Sequence, residues 1–407
     1  MQFEFFNIFN IFVIFLCLCS FGYLGFALIA LEIFNSKRKK FSAPSDFQPP
    51  VTILKPVYGL DPEMLENLRS FCQQDYPEYQ IIFAVHDKKD LAIPLIEKVI
   101  KEFKDVDISY VVNSKIHGSN RKVSNLINSY PSAKHDYLIV ADSDMRAPSD
   151  YISNVMPAFS DSEVGAVTCL YSGTAVGKIA SSLNAMFINT WFLPSVLISK
   201  LLEPIKYCLG ATMIVRRDLL EQIGGFKALS NYLADDYMLG KLVSDLGYKI
   251  HLSHFIVENI VEEKSMKDLI KHELRWARTL RRVEPIGYAF TFLTDTFVVS
   301  LIAAITIYLN TAKIDWALIP ILAVTIGRLL LHFRTASITG SRRAGSILLI
   351  PVRDILTFCI RVISFTGNSI EWRNNSFNVD QAGLIHNGQD IIDDEEIIPD
   401  LATTQDY

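Results

Sequence analysis

The sequence lacks both of the common glycine-rich loops that bind phosphate. Neither Gly-x-Gly-x-x-Gly nor a Walker-type Gly-Lys-Ser/Thr follows any predicted strand, which argues against a dinucleotide-dependent enzyme and against a P-loop kinase. The net charge is −5, so basic residues are not in excess. Nucleic acid is therefore not an expected partner. A nucleotide would therefore have to be held by carboxylates and a metal ion.

Cysteines are few, and their spacing matches neither a zinc site nor a disulfide framework. Two of the six, Cys17 and Cys19, lie in the first apolar segment, and the others are scattered along the chain. This distribution predicts ordinary buried thiols and agrees with a main domain in the cytoplasm.

The hydrophobic residues are concentrated at the two ends of the chain. Residues 5–33 are almost wholly apolar, which is long enough to cross a bilayer core of ~30 Å. A basic cluster follows at residues 37–40, and the positive-inside rule then places the chain after it in the cytoplasm. We therefore expect residues 1–36 to form an uncleaved transmembrane anchor.

Residues 45–285 are predicted to form a cytoplasmic α/β domain. Apolar runs typical of buried parallel strands alternate with amphipathic helices, which indicates a doubly wound sheet. The run at residues 137–141 ends in Asp142 and Asp144, and such sheets bind ligands outside the carboxyl ends of their strands. Alternate residues of an extended segment point the same way, so both carboxylates can face one divalent cation that holds a diphosphate. An isolated Asp-x-Asp triplet is more often a solvated turn.

Two further polar stretches offer groups that such a site would use. The loop containing Lys122 can present its ammonium and backbone N–H groups to a phosphate or a base, or it can be an ordinary surface loop. Asp236 belongs to an acidic pair that begins a helix. One carboxylate of the pair can act as a general base, or the pair can simply cap the helix.

A basic helix is predicted over residues 265–282. Arg275, Arg278 and Arg282 are spaced so that they share one face, and His272 lies one turn before Arg275. This face can grip a diphosphate or lie on anionic lipid.

The apolar, aromatic stretch at residues 179–206 is interrupted by Pro194 and Pro204. We interpret it as an amphipathic segment in the membrane interface, with a buried helical hairpin as an equal alternative.

A C-terminal membrane region is predicted over residues 286–375. It contains two spans, at about 286–309 and 316–333, and an interfacial or re-entrant segment at 345–366 that carries charged residues. Residues 376–407 form an acidic tail that we expect to be disordered.

The order of these elements resembles family-2-type glycosyltransferases with the GT-A fold, and more closely the ceramide glucosyltransferases and the related bacterial hopanoid-associated glycosyltransferases. The resemblance covers about residues 50–290. It is carried, in chain order, by Leu54-Lys55-Pro56 with Gly59-Leu60-Asp61-Pro62, Val85-His86-Asp87, Asn120-Arg121-Lys122-Val123-Ser124-Asn125-Leu126, Asp142-Ser143-Asp144, Ala234-Asp235-Asp236-Tyr237 and His272-x-x-Arg275-Trp276. Two departures are the histidine at 272, where the family has Gln or Arg, and the absence of a His-Pro pair near residues 192–195.

The resemblance implies roles for the matched residues. The donor would be bound by Lys55, Pro56, Asp87, Lys122 and Asp142. Asp87 would contact the uracil or ribose of the donor.

The metal, Mg²⁺ or Mn²⁺, would be held by Asp142 and Asp144, and Asp236 would deprotonate the acceptor hydroxyl. The diphosphate and acceptor side would be formed by Arg275 and Trp276, together with His272.

The resemblance thus implies a multi-pass membrane enzyme that transfers glucose, with inversion, from UDP-glucose to a lipid hydroxyl. The expected acceptor is ceramide, and the expected location is a bacterial inner membrane. One alternative is N-acetylglucosaminyl transfer from a UDP-sugar to a hopanoid polyol. Alternatives from other classes are a non-catalytic membrane scaffold and a processive polysaccharide synthase.

Overall fold

The computed structural model describes residues 2–40, 46–341, 346–367, 369–372, 375–379 and 383–387 of the 407-residue chain. The strands are β1 (Val51–Val57), β2 (Tyr79–Val85), β3 (Asp107–Val112), β4 (Tyr137–Ala141), β5 (Met145–Arg146), β6 (Val164–Ala175), β7 (Thr212–Arg216), β8 (Lys249–Val261), β9 (Ser369–Trp372), β10 (Asn375–Val379) and β11 (Ile385–Asn387). The α-helices are α1 (Gln2–Lys40), α2 (Met64–Cys72), α3 (Ile93–Glu102), α4 (Arg121–Ser129), α5 (Tyr151–Val155), α6 (Ile179–Phe187), α7 (Leu193–Leu202), α8 (Arg217–Gln222), α9 (Asp235–Asp245), α10 (Met266–Val283), α11 (Pro285–Phe290), α12 (Thr296–Thr311), α13 (Ile314–Thr339) and α14 (Ile350–Ser364).

Strands β1 to β8 form one mixed sheet in the order β3-β2-β1-β4-β7-β6-β8-β5. Strands β1 to β4 pair in parallel, whereas β7 runs antiparallel between β4 and β6. Adjacent residues of β1 enter different cores, with Ile53 on one face of the sheet and Leu54 on the other. Burial on both faces explains why these strands are continuously apolar. The predicted α/β fold with a mixed sheet is confirmed.

The membrane-type helices pack on the α/β domain as well as on one another. Leu31 of α1, Leu197 of α7 and Leu331 of α13 belong to the same buried cluster as the sheet residue Val140. Helix α1 also contacts α12, and Ser20 on α1 donates to the carbonyl oxygen of Leu293 at 2.9 Å. The two ends of the sequence therefore meet in one helical bundle.

Among the described residues, three helical segments are long and apolar enough to cross a membrane: Ile8–Lys40, Ile179–Leu202 and Ile314–Thr339. A fourth candidate consists of Pro285–Thr294 and Thr296–Thr311, with a bend of 55° between them. The span predicted at about 286–309 corresponds to this bent pair, in which the helix breaks at Asp295. The predicted span at 316–333 lies within α13.

The predicted break at Pro194 is absent, because α6 and α7 are joined by the π-helical turn Ile188–Phe192. A proline has no N–H for the carbonyl group four residues earlier, here that of Thr190. That oxygen instead accepts a hydrogen bond from Arg328 Nη1 at 3.1 Å. The stretch is thus one continuous helical segment, and the hairpin alternative was wrong.

The chain after residue 345 is more ordered than the sequence suggested. Helix α14 occupies most of the predicted interfacial segment, and β9, β10 and β11 form a small antiparallel sheet. Strand β11 and most of β10 lie in the part predicted to be a disordered tail. Residues 380–382 and 388–407 of that tail lie outside the described residues.

Candidate active site

A cavity of about 760 Å³ opens at the carboxyl end of β4. Its polar end is lined by Asp142, Asp144 and Asp236. Its other end extends between α7, α11 and α14, where Trp191 and Ile360 line it. A polar site at the edge of the sheet is therefore continuous with an apolar compartment among the membrane-type helices.

Lys55 supports this edge of the sheet from below. Lys55 lies within strand β1 and is fully buried, and its Nζ donates to the backbone oxygen of Asp142 at 2.6 Å. The ammonium group also lies 4.0 Å from the centre of the Phe71 ring. Burial lowers the pKa of Lys55 to about 8, although Asp144 and Asp142 favour its charged form.

Lys122 joins two acidic segments that are far apart in the sequence. Its Nζ lies 2.8 Å from Asp142 Oδ1 and 3.2 Å from Asp235 Oδ2. Lys122 lies on α4, and Asn120 caps the start of that helix by accepting a hydrogen bond from the N–H of Val123. The Nδ2 group of Asn120 also donates to Asp235 at 3.2 Å. Burial opposes the charged form of Lys122, but the neighbouring carboxylates outweigh it and raise its pKa.

Asp144 is half-buried at the edge of the sheet. Its Oδ1 is buried and has no hydrogen-bond partner among the described residues. Burial, followed by the charges of Asp142 and Asp61, raises its pKa to about 7. Asp61 also lines the cavity and accepts a hydrogen bond from Ser143. A group of this kind becomes stable as a carboxylate when a cation lies beside it.

These residues fit a divalent cation that is completed by its substrate. Within the part of the chain that the structure describes, no three His, Cys, Asp or Glu side chains form a ready-made metal cluster. Mg²⁺ in nucleotide enzymes commonly uses only one or two carboxylates, with phosphate oxygens and water as its other ligands. The buried, unpartnered oxygen of Asp144 beside Asp142 suits that arrangement.

Asp236 faces the same space from the start of α9. Burial, followed by the neighbouring charge of Asp235, raises its pKa to about 6, which suits a proton acceptor near neutral pH. Gly210 lies against this carboxylate: a Cβ at residue 210 would be 2.9 Å from Asp236 Oδ2 and 3.7 Å from Asp142 Oδ2.

Helix α10 carries Arg275, Trp276 and His272 into the cavity wall. His272 Nδ1 lies 2.7 Å from Oε1 of the buried Glu263, and the His272 ring meets the Trp276 ring edge-on at 4.6 Å. In this chain, therefore, a carboxylate orients the histidine that departs from the family motif.

The structure brings most of the predicted site residues to one cavity. Those lining it are Pro56, Lys122, Asp142, Asp144, Asp236, His272, Arg275 and Trp276. Lys55 lies beneath the cavity, and Asp87 is not among the lining residues. The Asp87 carboxylate accepts a hydrogen bond from the N–H of Lys89 at 2.9 Å in the turn after β2.

Three residues with evident roles in the site were missed. Asp61 was noticed only as part of a matched motif, and Asp235 only as part of an acidic pair that begins a helix. Glu263 was not assigned a role because it lies in the connection between β8 and α10, outside the motifs noticed in the sequence.

Comparison with known proteins gives a consistent result. The sequence matches glycosyl transferase family 21 over residues 12–385. It is similar to ceramide glucosyltransferase 3 of Caenorhabditis elegans, with 24% identity over 349 residues, which is 83% of this chain and 74% of that protein. A shorter similarity, 35% over 144 residues, links it to the ceramide glucosyltransferase of Komagataella phaffii and covers 34% of this chain and 28% of that protein.

Solved glycosyltransferases also align with the chain. The mannosyltransferase PcManGT from Pyrobaculum calidifontis, solved in complex with GDP-Man and Mn²⁺, gives a TM-score of 0.49 at 16% identity. That alignment covers 86% of this chain and 99% of that one.

Proposed function

The chain belongs to glycosyl transferase family 21, and from this premise we propose that it transfers glucose from UDP-glucose to the primary hydroxyl of ceramide. The names of the relatives support this acceptor. The observation that carries the proposal is the continuity of the cavity. Its carboxylate-lined end suits a nucleotide diphosphate, and its aromatic end among the membrane-type helices suits a lipid.

The donor occupies the polar end in this proposal. Lys122 and Pro56 line the space next to Asp142, and Lys55 holds the backbone of that aspartate from below. Asp87 follows β2, the strand next to β1, and we assign it to the uracil or ribose of the donor.

Asp142 and Asp144 are the proposed ligands of Mg²⁺ or Mn²⁺. When bound, the cation supplies positive charge that stabilises the diphosphate leaving group. Arg275 lines the same end of the cavity and contributes a further positive charge to that group.

Asp236 is the proposed general base. Its carboxylate removes the proton from the lipid hydroxyl as that oxygen forms a bond to the anomeric carbon and the bond from that carbon to the diphosphate breaks. Because the oxygen attacks from the face opposite the leaving group, the single displacement inverts the centre and converts an α-linked donor into a β-glucoside.

The proposed topology follows from the basic residues at the end of α1. Lys37 to Lys40 form the last turn of that helix, which by the positive-inside rule favours a cytoplasmic catalytic domain. The acceptor then enters from the bilayer through the wall formed by α7, α11 and α14. A bacterial inner membrane stays the proposed location.

Product analysis tests donor and acceptor together. Membranes containing the full chain receive Mg²⁺, either UDP-glucose or UDP-N-acetylglucosamine, and either ceramide or a hopanoid polyol. The proposal expects glucosylceramide. If the product is an N-acetylglucosaminyl hopanoid, the proposed donor and acceptor are both wrong, but the family assignment stands. If no combination gives a product, the proposed reaction is contradicted.

The base is tested with Asp236→Asn, which should lower the turnover number at least a thousandfold and leave UDP-glucose affinity within a fewfold. Asp245→Asn is the matched control, because it makes the same substitution on the same helix at an exposed site paired with Lys241. Near-normal turnover by Asp236→Asn would exclude Asp236 as the base.

A further inference from the structure

Two arginines on α14 are almost fully buried, but their N–H groups are paired very differently. Arg353 donates through Nη1 and Nη2 to the two carboxylate oxygens of Glu273, at 2.6 and 2.7 Å, and through Nε to Thr357 at 3.1 Å. All three of its nitrogens therefore have acceptors, and it locks α14 to α10.

Arg361 is only 3% exposed, yet two of its nitrogens lack acceptors. Its Nε lies 3.2 Å from Asp295 Oδ2, but neither Nε nor Nη1 makes a hydrogen bond with any described residue. A guanidinium group carries five N–H donors, and burying such donors without acceptors is costly. Arg361 also lines the cavity, so a bound molecule can supply the missing oxygens.

The surroundings of Arg361 restrict what that molecule can be. The rings of Trp191, Phe292 and Tyr288 lie 5.3, 5.7 and 6.0 Å from the guanidinium carbon, so aromatic surface surrounds the group. Asp295, itself 3% exposed, already balances the positive charge. An anionic phosphate bound here would be repelled by Asp295, whereas an uncharged oxygen accepts a hydrogen bond without that penalty.

We propose that Arg361 binds an uncharged oxygen of the acceptor lipid, an amide carbonyl or a hydroxyl near the hydroxyl that is glycosylated. This inference rests on the proposed function, because it takes the molecule in the cavity to be the acceptor lipid. Asp236, the proposed base, lines the same cavity as Arg361. The lipid that fits has a neutral polar group with several oxygens and apolar chains that pack along the aromatic wall. Arg361 thus positions the acceptor and takes no part in proton transfer.

Equilibrium binding without any sugar donor tests the site. The purified full chain in nanodiscs is titrated with short-chain ceramide, with an analogue in which an ether replaces the amide, and with the 3-deoxy analogue. Binding is followed by the fluorescence of the cavity tryptophans, Trp191 and Trp276. We expect Arg361→Gln to bind ceramide 10- to 100-fold more weakly while its affinity for UDP-glucose stays within twofold.

The analogues identify the oxygen. The parent protein should bind one of them 10- to 100-fold more weakly than ceramide, the ether analogue if Arg361 holds the carbonyl and the 3-deoxy analogue if it holds the hydroxyl. Arg361→Gln should bind that analogue and ceramide equally. Equal ceramide affinity in Arg361→Gln and the parent would overturn the site and leave the proposed function intact. If the parent does not bind ceramide, the proposed acceptor fails, and this inference with it.

Two further variants serve as controls that distinguish loss of the lipid contact from misfolding. The double variant Asp295→Asn with Arg361→Gln leaves no uncompensated carboxylate and should show the same loss of ceramide affinity. Ile363→Ala changes an exposed side chain on the same helix, and it should bind all three lipids as the parent does.

Discussion

Replacing Gly210 with alanine should impair catalysis without unfolding the protein. The backbone at Gly210 lies outside the left-handed region, so alanine is compatible with its conformation. The new Cβ would lie 2.9 Å from Asp236 Oδ2, so the carboxylate must retreat by about half an ångström to reach an ordinary 3.4 Å contact. The end of an aspartate side chain can make this movement at little cost in stability.

The size of the expected loss of turnover follows from how strongly catalysis depends on the position of the reacting groups. A misplacement of about 1 Å can cost on the order of 100-fold in rate, so half that displacement of the proposed base should lower the turnover number roughly tenfold, about 1.4 kcal/mol. The assay measures turnover at saturating donor and acceptor, together with thermal unfolding in detergent. Unchanged turnover in a normally folded Gly210→Ala protein would refute the reasoning.

Gly165→Ala provides the opposite case. There a Cβ would lie 2.6 Å from both Tyr248 Cβ and Val243 Cγ1, in packed core that cannot easily give way. Overpacking of this kind costs about 1–3 kcal/mol. We therefore expect Gly165→Ala to lower the unfolding temperature and to keep normal turnover per folded molecule.

Three further predictions concern the same site and its support. The value of kcat/KM should fall about tenfold per pH unit below pH ~6, because the pKa of Asp236 is raised to about 6 and only its ionised form accepts a proton; a profile that stays flat to pH 5 would contradict this. Glu273→Gln breaks the bidentate pair with Arg353, whose side chains are 3% and 1% exposed, and should cost about 3–5 kcal/mol in thermal unfolding, whereas a cost below 1 kcal/mol would show that the pair is not needed. Treatment with EDTA should abolish transfer until Mg²⁺ or Mn²⁺ is restored, and Asp144→Asn should raise the metal concentration for half-maximal activity at least tenfold; activity that persists in EDTA would exclude the proposed metal.

Features that depend on residues close together in the sequence were predictable from the sequence. The buried strand β4 was found because burial on both sheet faces requires a continuous apolar run. The position of Asp142 and Asp144 followed directly from the end of such a strand. Strand β8 was missed because its 13 residues mix apolar side chains with polar ones such as Asn259, so the pattern of a buried strand is absent.

The sequence by itself determined the α/β class, the apolar ends of the chain and most of the side chains at the donor end, because each depends on short-range periodicity or on the residues directly after a strand. Only the tertiary structure decided which distant residues share the site. Lys122 meets Asp235 across 113 positions, and Arg361 meets Asp295 across 66. Such pairs arise from helix packing and leave no periodic trace in the sequence, so the proposed acceptor end of the cavity could be recognised only once the helices were in place.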